Sequence, residues 1–353
     1  MSRNNPERLG LPPQPDAAED ATAAVQATAA SAPATLSYVS PTEFVELPSE
    51  GKLYPSDHPL HNQETIEIRY MTARDEDILT SKALLRKGLA IDRMLQNLVV
   101  DNQIKIDDLL LGDKNAVILA ARISGYGESY ETSITCPNCS TASTCDFNLT
   151  DFEAHLGKAL SGEVEEIKAT ADGLFTVTLP KTQYEVVYRL LNGHDEKYLT
   201  EAASRKAKLN LPDSVSTDLL KRVVVSVSGV TSGSEIGTFI DNMPALDSRF
   251  LRACVQGSTP NIDMSQLFSC VHCGYESEME VPLTADFFGL SDKYMENVYE
   301  QFFYLKFHGG WSFIEAYNLP IGLRRWFVNR LSQHFEDQNE AHKKQANKAK
   351  NRR

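Results

Sequence analysis

Four of the six cysteines fall into two Cys-x-x-Cys pairs, Cys136-Pro137-Asn138-Cys139 and Cys270-Val271-His272-Cys273. A two-residue spacer lets a tight turn aim two thiolates at one ion, and two such turns supply the four ligands of a closed, tetrahedral structural zinc site. The expected centre is therefore one Zn2+ held by Cys136, Cys139, Cys270 and Cys273. In a reducing compartment this pattern favours metal over disulfide. Two other chemistries are weighed against it. A redox Cys-x-x-Cys stands at the start of a helix, whose dipole lowers a thiol pKa, whereas both pairs here follow strand-like sequence. A catalytic zinc keeps a coordination position open, and four thiolates close it. His272 lies inside one turn and is read as satisfied by backbone or solvent. Cys145 and Cys254 are read as ordinary thiols, Cys254 on a helix face.

The sequence after each pair repeats. Phe147 and Val281 each lie 11 positions after a first cysteine, Leu149-Thr150 and Leu283-Thr284 lie 13 and 14 positions after it, and Phe152 and Phe287 follow. Two strand–turn–strand halves of equal length, residues 130–155 and 265–290, would meet across one metal as a zinc-ribbon-like module with a long insertion between them. No Gly-x-Ser-x-Gly, His-Glu-x-x-His, phosphate-binding glycine loop or dinucleotide fingerprint is present, which points away from an enzyme. His194-Asp195-Glu196 is read as the acidic first turn of a helix.

The elements around these turns follow from pattern. Residues 1–37 are rich in Pro, Ala and Thr with few large apolar side chains, and are expected to be disordered. A constrained turn spans Pro48–Pro55, with Tyr54 at its tip. Residues 64–70 alternate as a strand. A helix is expected from a capping box at Thr72 and Asp75 to a stop at Gly88, a second along Ile91, Met94, Leu95, Leu98 and Val99, and a third over about 113–123. Residues 174–190 read as a hairpin. Helices are expected over 194–209 and 216–228 and after 246–248, with an aromatic-rich helical end at 292–335. The fold class is α+β, with mixed helical and antiparallel-strand domains around the four-cysteine module. The organisation is a leader at 1–37, an N-terminal α+β region at 38–129, the two ribbon halves, an inserted α/β region at 156–264, a helical region at 291–335 and a basic, disordered tail at 336–353.

Charge limits the partners. The formal net charge of −13 argues against broad nucleic-acid binding, which needs clustered Lys and Arg. The exception is the tail, with Lys343, Lys344, Lys348, Lys350, Arg352 and Arg353, read as a solvated run or as a clip for an acidic partner. No apolar run is long enough to span a membrane, and the opening residues lack the apolar core of a signal peptide. Cytoplasmic residence is expected.

Several stretches resemble the T-even-type phage baseplate hub protein family. They are Leu47-Pro48-Ser49-Glu50-Gly51-Lys52-Leu53-Tyr54, Arg69-Tyr70-Met71-Thr72-Ala73-Arg74-Asp75-Glu76-Asp77-Ile78-Leu79, Gly112-Asp113-Lys114-Asn115-Ala116 and Arg122-Ile123-Ser124-Gly125-Tyr126-Gly127. The cysteine pairs, Arg189-Leu190-Leu191 and Leu319-Pro320-Ile321 with Arg324-Arg325-Trp326 are also similar. The resemblance implies a structural or assembly protein of a contractile-tail baseplate hub, made in the host bacterial cytoplasm and binding other baseplate and hub proteins, with no small-molecule substrate. The alternative is a zinc-ribbon protein of transcription or nucleic-acid handling. Tyr54, Arg324, Arg325 and Trp326 are the expected protein contacts, since constrained loops bind at lower entropic cost and Trp, Tyr and Arg dominate interface hot spots.

Overall fold

The computed structural model describes residues 41–157, 167–170, 173–210, 214–281, 285–288 and 294–350. The leader at 1–37 lies outside these residues. Chain order begins with a hairpin, β1 (Thr42–Glu46) and β2 (Thr65–Arg69), paired antiparallel with Val45 opposite Ile66. The alternation of Ile66 and Ile68 turns both into the core. The expected turn after Leu47 is present, but the strand before it was not anticipated.

Helices α1 (Ala73–Leu79), α2 (Lys82–Arg86), α3 (Ala90–Leu98) and α4 (Leu111–Tyr126) follow. The single helix expected from Thr72 to Gly88 is two, because the chain leaves α1 at Thr80 and restarts from Ser81. Gly88 does adopt a left-handed φ of 67° after α2. Met94, Leu95 and Leu98 bury the stripe of α3.

After α4 come β3 (Ser129–Thr135), β4 (Ala142–Asn148) and β5 (Glu153–His155). A second run follows: β6 (Lys168–Ala169), β7 (Leu174–Thr178), β8 (Glu185–Arg189), α5 (Gly193–Lys208), α6 (Val215–Val223), β9 (Val224–Val227), α7 (Gly233–Asn242) and α8 (Ala245–Ser258). Strands β6-β7-β8-β9 form one four-stranded antiparallel sheet. The helix expected over 216–228 therefore ends at Val223. The β-branched Val224 and Val225 extend instead, and β9 adds to the edge of β8. Strands β10 (Asn261–Asp263), β11 (Ser265–Ser269) and β12 (Glu276–Glu280) close this half, β10 pairing with β5.

Three helices end the chain: α9 (Tyr294–Gly309), α10 (Phe313–Asn318) and α11 (Ile321–Lys350). Helix α11 runs through most of the tail expected to be disordered. From Glu336 to Lys350 that stretch has no Gly or Pro, is rich in strong helix formers, and carries a Glu340–Lys344 pair one turn apart.

The two runs are built on one plan, well beyond the ribbon halves. Arg69 clamps Asp75 with two guanidinium hydrogen bonds of 2.8 Å, and Arg189 clamps Asp195 at 2.5 and 2.9 Å. Each aspartate also closes a capping box, accepting from the amide of Thr72 or of Asn192. The hairpin turns match too, as Leu47-Pro48-Ser49 and Leu179-Pro180-Lys181. In each unit a buried aspartate in the first turn of the last helix holds that turn. Asp113 accepts from the Ser49 amide at 3.0 Å, the Ser49 hydroxyl at 2.6 Å and the Tyr54 hydroxyl at 2.7 Å. Asp247 accepts from the amides of Lys181 at 2.7 Å and Thr182 at 3.0 Å. Asp113 precedes Cys136, and Asp247 precedes Cys270, by the same 23 residues.

A joint recurs as well. The Leu111 amide donates to the Leu191 carbonyl at 3.2 Å, so the start of α4 docks beside α5. The Ile321 amide donates to the Met71 carbonyl at 2.9 Å, so α11 docks beside α1 in the same way. Three residues on from each docking amide a cation meets the matching glutamate, Lys114 with Glu196 at 2.6 Å and Arg324 with Glu76 at 2.8 Å.

Asp113→Ala is expected to destabilise the protein by about 2–4 kcal/mol, because three buried donors lose their acceptor at once. Tyr54→Phe leaves the carboxylate two partners but also strands the Leu110 amide, which donates to the Tyr54 hydroxyl at 3.1 Å, and should cost about 1–2 kcal/mol. Urea denaturation of the two variants tests the ranking; equal costs would mean that Asp113 does not organise the turn.

Candidate metal centre

Strand β3 pairs with β4 from Ser129 opposite Asn148 to Thr135 opposite Ala142, and β11 pairs with β12 from Ser265 opposite Glu280 to Ser269 opposite Glu276. Each hairpin ends in a turn that carries one cysteine pair. The two turns have the same backbone. Cys136 donates its amide to the Thr141 carbonyl at 3.0 Å and accepts from the Ser140 amide at 2.9 Å. Cys270 donates to the Tyr275 carbonyl at 2.9 Å and accepts from the Gly274 amide at 2.9 Å. Both turns close through a left-handed residue, Ser140 at φ 56° and Gly274 at φ 68°. These bonds fix the first cysteine of each pair and curl the chain so that the second points the same way.

The four sulfurs converge. Cys136 Sγ lies 3.7 Å from Cys273 Sγ, Cys139 Sγ lies 3.7 Å from Cys270 Sγ, and all four lie within 4.8 Å of one another. A disulfide would bring a pair to about 2.0 Å, and all four thiols are free. Sulfurs bound about 2.3 Å from a tetrahedral zinc stand about 3.8 Å apart, so the donor set and its spacing fit that ion. Cys136 and Cys270 are buried with Phe268, and Ile134, Cys145 and Met279 pack against them. Hydrogen bonds from the hydroxyl and amide of Thr141 pull the Cys139 thiol down to about 6, so it is largely thiolate at neutral pH. The Asn138 side-chain amide reaches Cys273 Sγ at 3.6 Å from the opposite turn.

The repeat after each pair has a packing role. Phe147 and Val281 are both buried, and Phe287 meets Tyr130 edge-on at 5.0 Å; Leu283 and Thr284 lie outside the described residues. Cys254 is buried on α8, and His272 is exposed on its turn. His194 meets Asp108 and Glu196 meets Lys114, while Asp195 is held by the Arg189 clamp, as fits the first turn of a helix.

Two of the expected protein contacts are corrected. Tyr54 is 2% exposed, its ring stacked on His58 and its hydroxyl on Asp113, so it is part of the inner face of its turn. Arg324 is 0% exposed against Glu76. Arg325 and Trp326 are exposed on α11.

A family model described as T4 bacteriophage base plate protein matches residues 40–289. The chain belongs to that family. The match takes in both units and all four cysteines, and it stops before α9. No curated protein and no solved structure matches. Membership makes the chain a structural protein of the phage baseplate, whose work is contact with other phage structural proteins. Among the described residues no helix is long and apolar enough to cross a membrane.

Both halves of the base plate match carry the clamp Arg-x-x-[Thr/Asn]-x-x-Asp-Glu, at 69–76 and 189–196. Sequence reasoning found the repeat only next to the cysteines, although this spacing is visible in the sequence.

Proposed function

We propose that this chain is a structural or assembly component of the baseplate hub of a contractile-tailed phage, clasped by one structural zinc and acting by protein binding, without turnover. The observation that carries the reading is the base plate match across both units, combined with four sulfurs spaced for a tetrahedral ion. Cys136, Cys139, Cys270 and Cys273 would hold the zinc, which supplies a closed, redox-inert cross-link. That cross-link ties segments about 130 residues apart, and each lies at the end of one unit. The protein would assemble in the host cytoplasm and enter the baseplate through exposed residues such as Arg325 and Trp326, which sit on α11 outside the matched region.

The test is co-expression with the hub and tape-measure proteins of the same phage, followed by tandem affinity purification. The chain is expected to co-elute with at least one of them. Trp326→Ala should weaken that capture while leaving circular dichroism unchanged. Failure of the wild-type chain to associate with any of them would sink the hub assignment.

A further inference from the structure

The four clustered cysteines differ in access. Cys136 and Cys270, the first of each pair, are buried, whereas Cys139 is half-buried and Cys273 is exposed. Each of the two sulfur contacts of 3.7 Å joins a buried cysteine to an accessible one, Cys136 to Cys273 and Cys270 to Cys139. Both contacts cross from one hairpin turn to the other. The internal repeat exchanges them, because Cys136 matches Cys270 and Cys139 matches Cys273. The Asn138 side chain reaches from the first turn to Cys273 Sγ at 3.6 Å, which holds that sulfur against the opposite turn.

An accessible thiolate with a second, sheltered thiolate beside it is the arrangement that oxidises cleanly to a disulfide, since the second sulfur resolves the first oxidation product. Building on the zinc clasp above, we propose that the cluster is an oxidation site for hydrogen peroxide. Its products are two disulfides across the ribbon, Cys136–Cys273 and Cys139–Cys270, and not one within each Cys-x-x-Cys turn.

The chemistry balances on these residues. The accessible thiolate, Cys273 or Cys139, attacks one peroxide oxygen. The O–O bond breaks, the sulfur becomes a sulfenic acid and hydroxide leaves. The buried thiolate, Cys136 or Cys270, then attacks that sulfur. The S–O bond breaks, the S–S bond forms and a second hydroxide leaves. Each disulfide therefore gives two electrons to one peroxide, and the two hydroxides take protons from solvent to become water. All four thiolates that would hold zinc are consumed, so the oxidised site no longer binds it. The two disulfides still tie the hairpin of one unit to the hairpin of the other, and the clasp becomes covalent.

Titration of the full-length, zinc-loaded protein with hydrogen peroxide, after removal of reductant, tests it. Released zinc is followed with a chromogenic chelator, and disulfides are mapped by mass spectrometry of unreduced peptides. Zinc should be released with about two peroxides consumed per chain. The peptide holding Cys136 and Cys139 should be joined to the peptide holding Cys270 and Cys273, and fragmentation between the cysteines should give the pairs 136–273 and 139–270. The thermal midpoint of the oxidised chain should no longer respond to a strong chelator. Cys145→Ser should oxidise in the same way, although Cys145 packs against the cluster. Unjoined peptides with a disulfide inside each turn, a cross-link through Cys145, or conversion to sulfinic acid without any disulfide would overturn the proposal. Zinc bound by the four cysteines but lost into disulfides within each turn would overturn the pairing and leave the clasp standing. A chain purified without zinc that still formed both cross-ribbon disulfides would support the pairing and overturn the clasp.

Discussion

Cys136→Ser is expected to lose its zinc and at least about 4 kcal/mol of stability, or about 10 °C in thermal midpoint. A serine hydroxyl stays protonated at neutral pH and cannot replace a thiolate. The remaining three sulfurs would hold the ion weakly, and the two ribbon hairpins would lose the cross-link between their turns. Those hairpins belong to separate two-stranded sheets, and the short β5–β10 pairing joins their bases rather than the turns that carry the cysteines. The small cluster of Cys136, Phe268 and Cys270 would open with it. Treating the wild type with a strong chelator should reproduce the effect, and chelator should change the variant little. A variant that melts with the wild type and keeps one zinc per chain would show that Cys136 is not a ligand.

The second large effect is expected at the joint between α11 and α1. Arg324 and Glu76 are both fully buried. Glu76 also accepts from the Tyr294 hydroxyl at 2.5 Å, and Arg324 donates to the Gln301 side chain at 3.0 Å. Arg324→Ala leaves a carboxylate in the interior without its cation, which costs about 3–5 kcal/mol. Replacing both partners with methionine removes the stranded charge, so the Glu76→Met/Arg324→Met double variant should be more stable than Arg324→Ala. Because Tyr317 also donates to Asp77 of α1 at 2.5 Å, the helices should loosen rather than detach, and hydrogen exchange should rise in α9 and α10 more than in the ribbon. Guanidinium denaturation of the three proteins measures this. A cost for Arg324→Ala below about 1 kcal/mol would mean that the pair does not secure the joint.

What the sequence revealed and what it hid have physical causes. The four-cysteine cluster was legible because ligand type and a two-residue spacer are chemical requirements carried by adjacent residues. The first capping box was legible for the same reason, since Thr72 and Asp75 are three apart. Tyr54 and Arg324 were misplaced because their surroundings come from far away. Pro, Gly and Ser near Tyr54 suggest an outer tip, yet its acceptor is Asp113, 59 residues on. Aromatic neighbours near Arg324 suggest an interface, yet its partner is Glu76, 248 residues back.

The larger repeat was hidden because its copies share hinge chemistry rather than bulk sequence. Arg, Asp-Glu, Leu-Pro and one buried Asp recur, while the first hairpin loop is far longer than the second. The α11 extension was missed because a run of charge reads as solvated tail even when it is rich in strong helix formers and holds no Gly or Pro. The edge strand β9 was missed because Val223-Val224-Val225 suits a helix end as well as a strand, and only pairing with β8 decides between them.

X-ray absorption at the zinc edge on the purified full-length chain, with metal content measured on the same sample, tests the zinc clasp most directly. One zinc per chain is expected, surrounded by four sulfurs at about 2.3 Å with no nitrogen or oxygen ligand. A shell containing nitrogen or oxygen, a second metal per chain, or a metal-free protein with Cys136, Cys139, Cys270 and Cys273 joined as disulfides would contradict it.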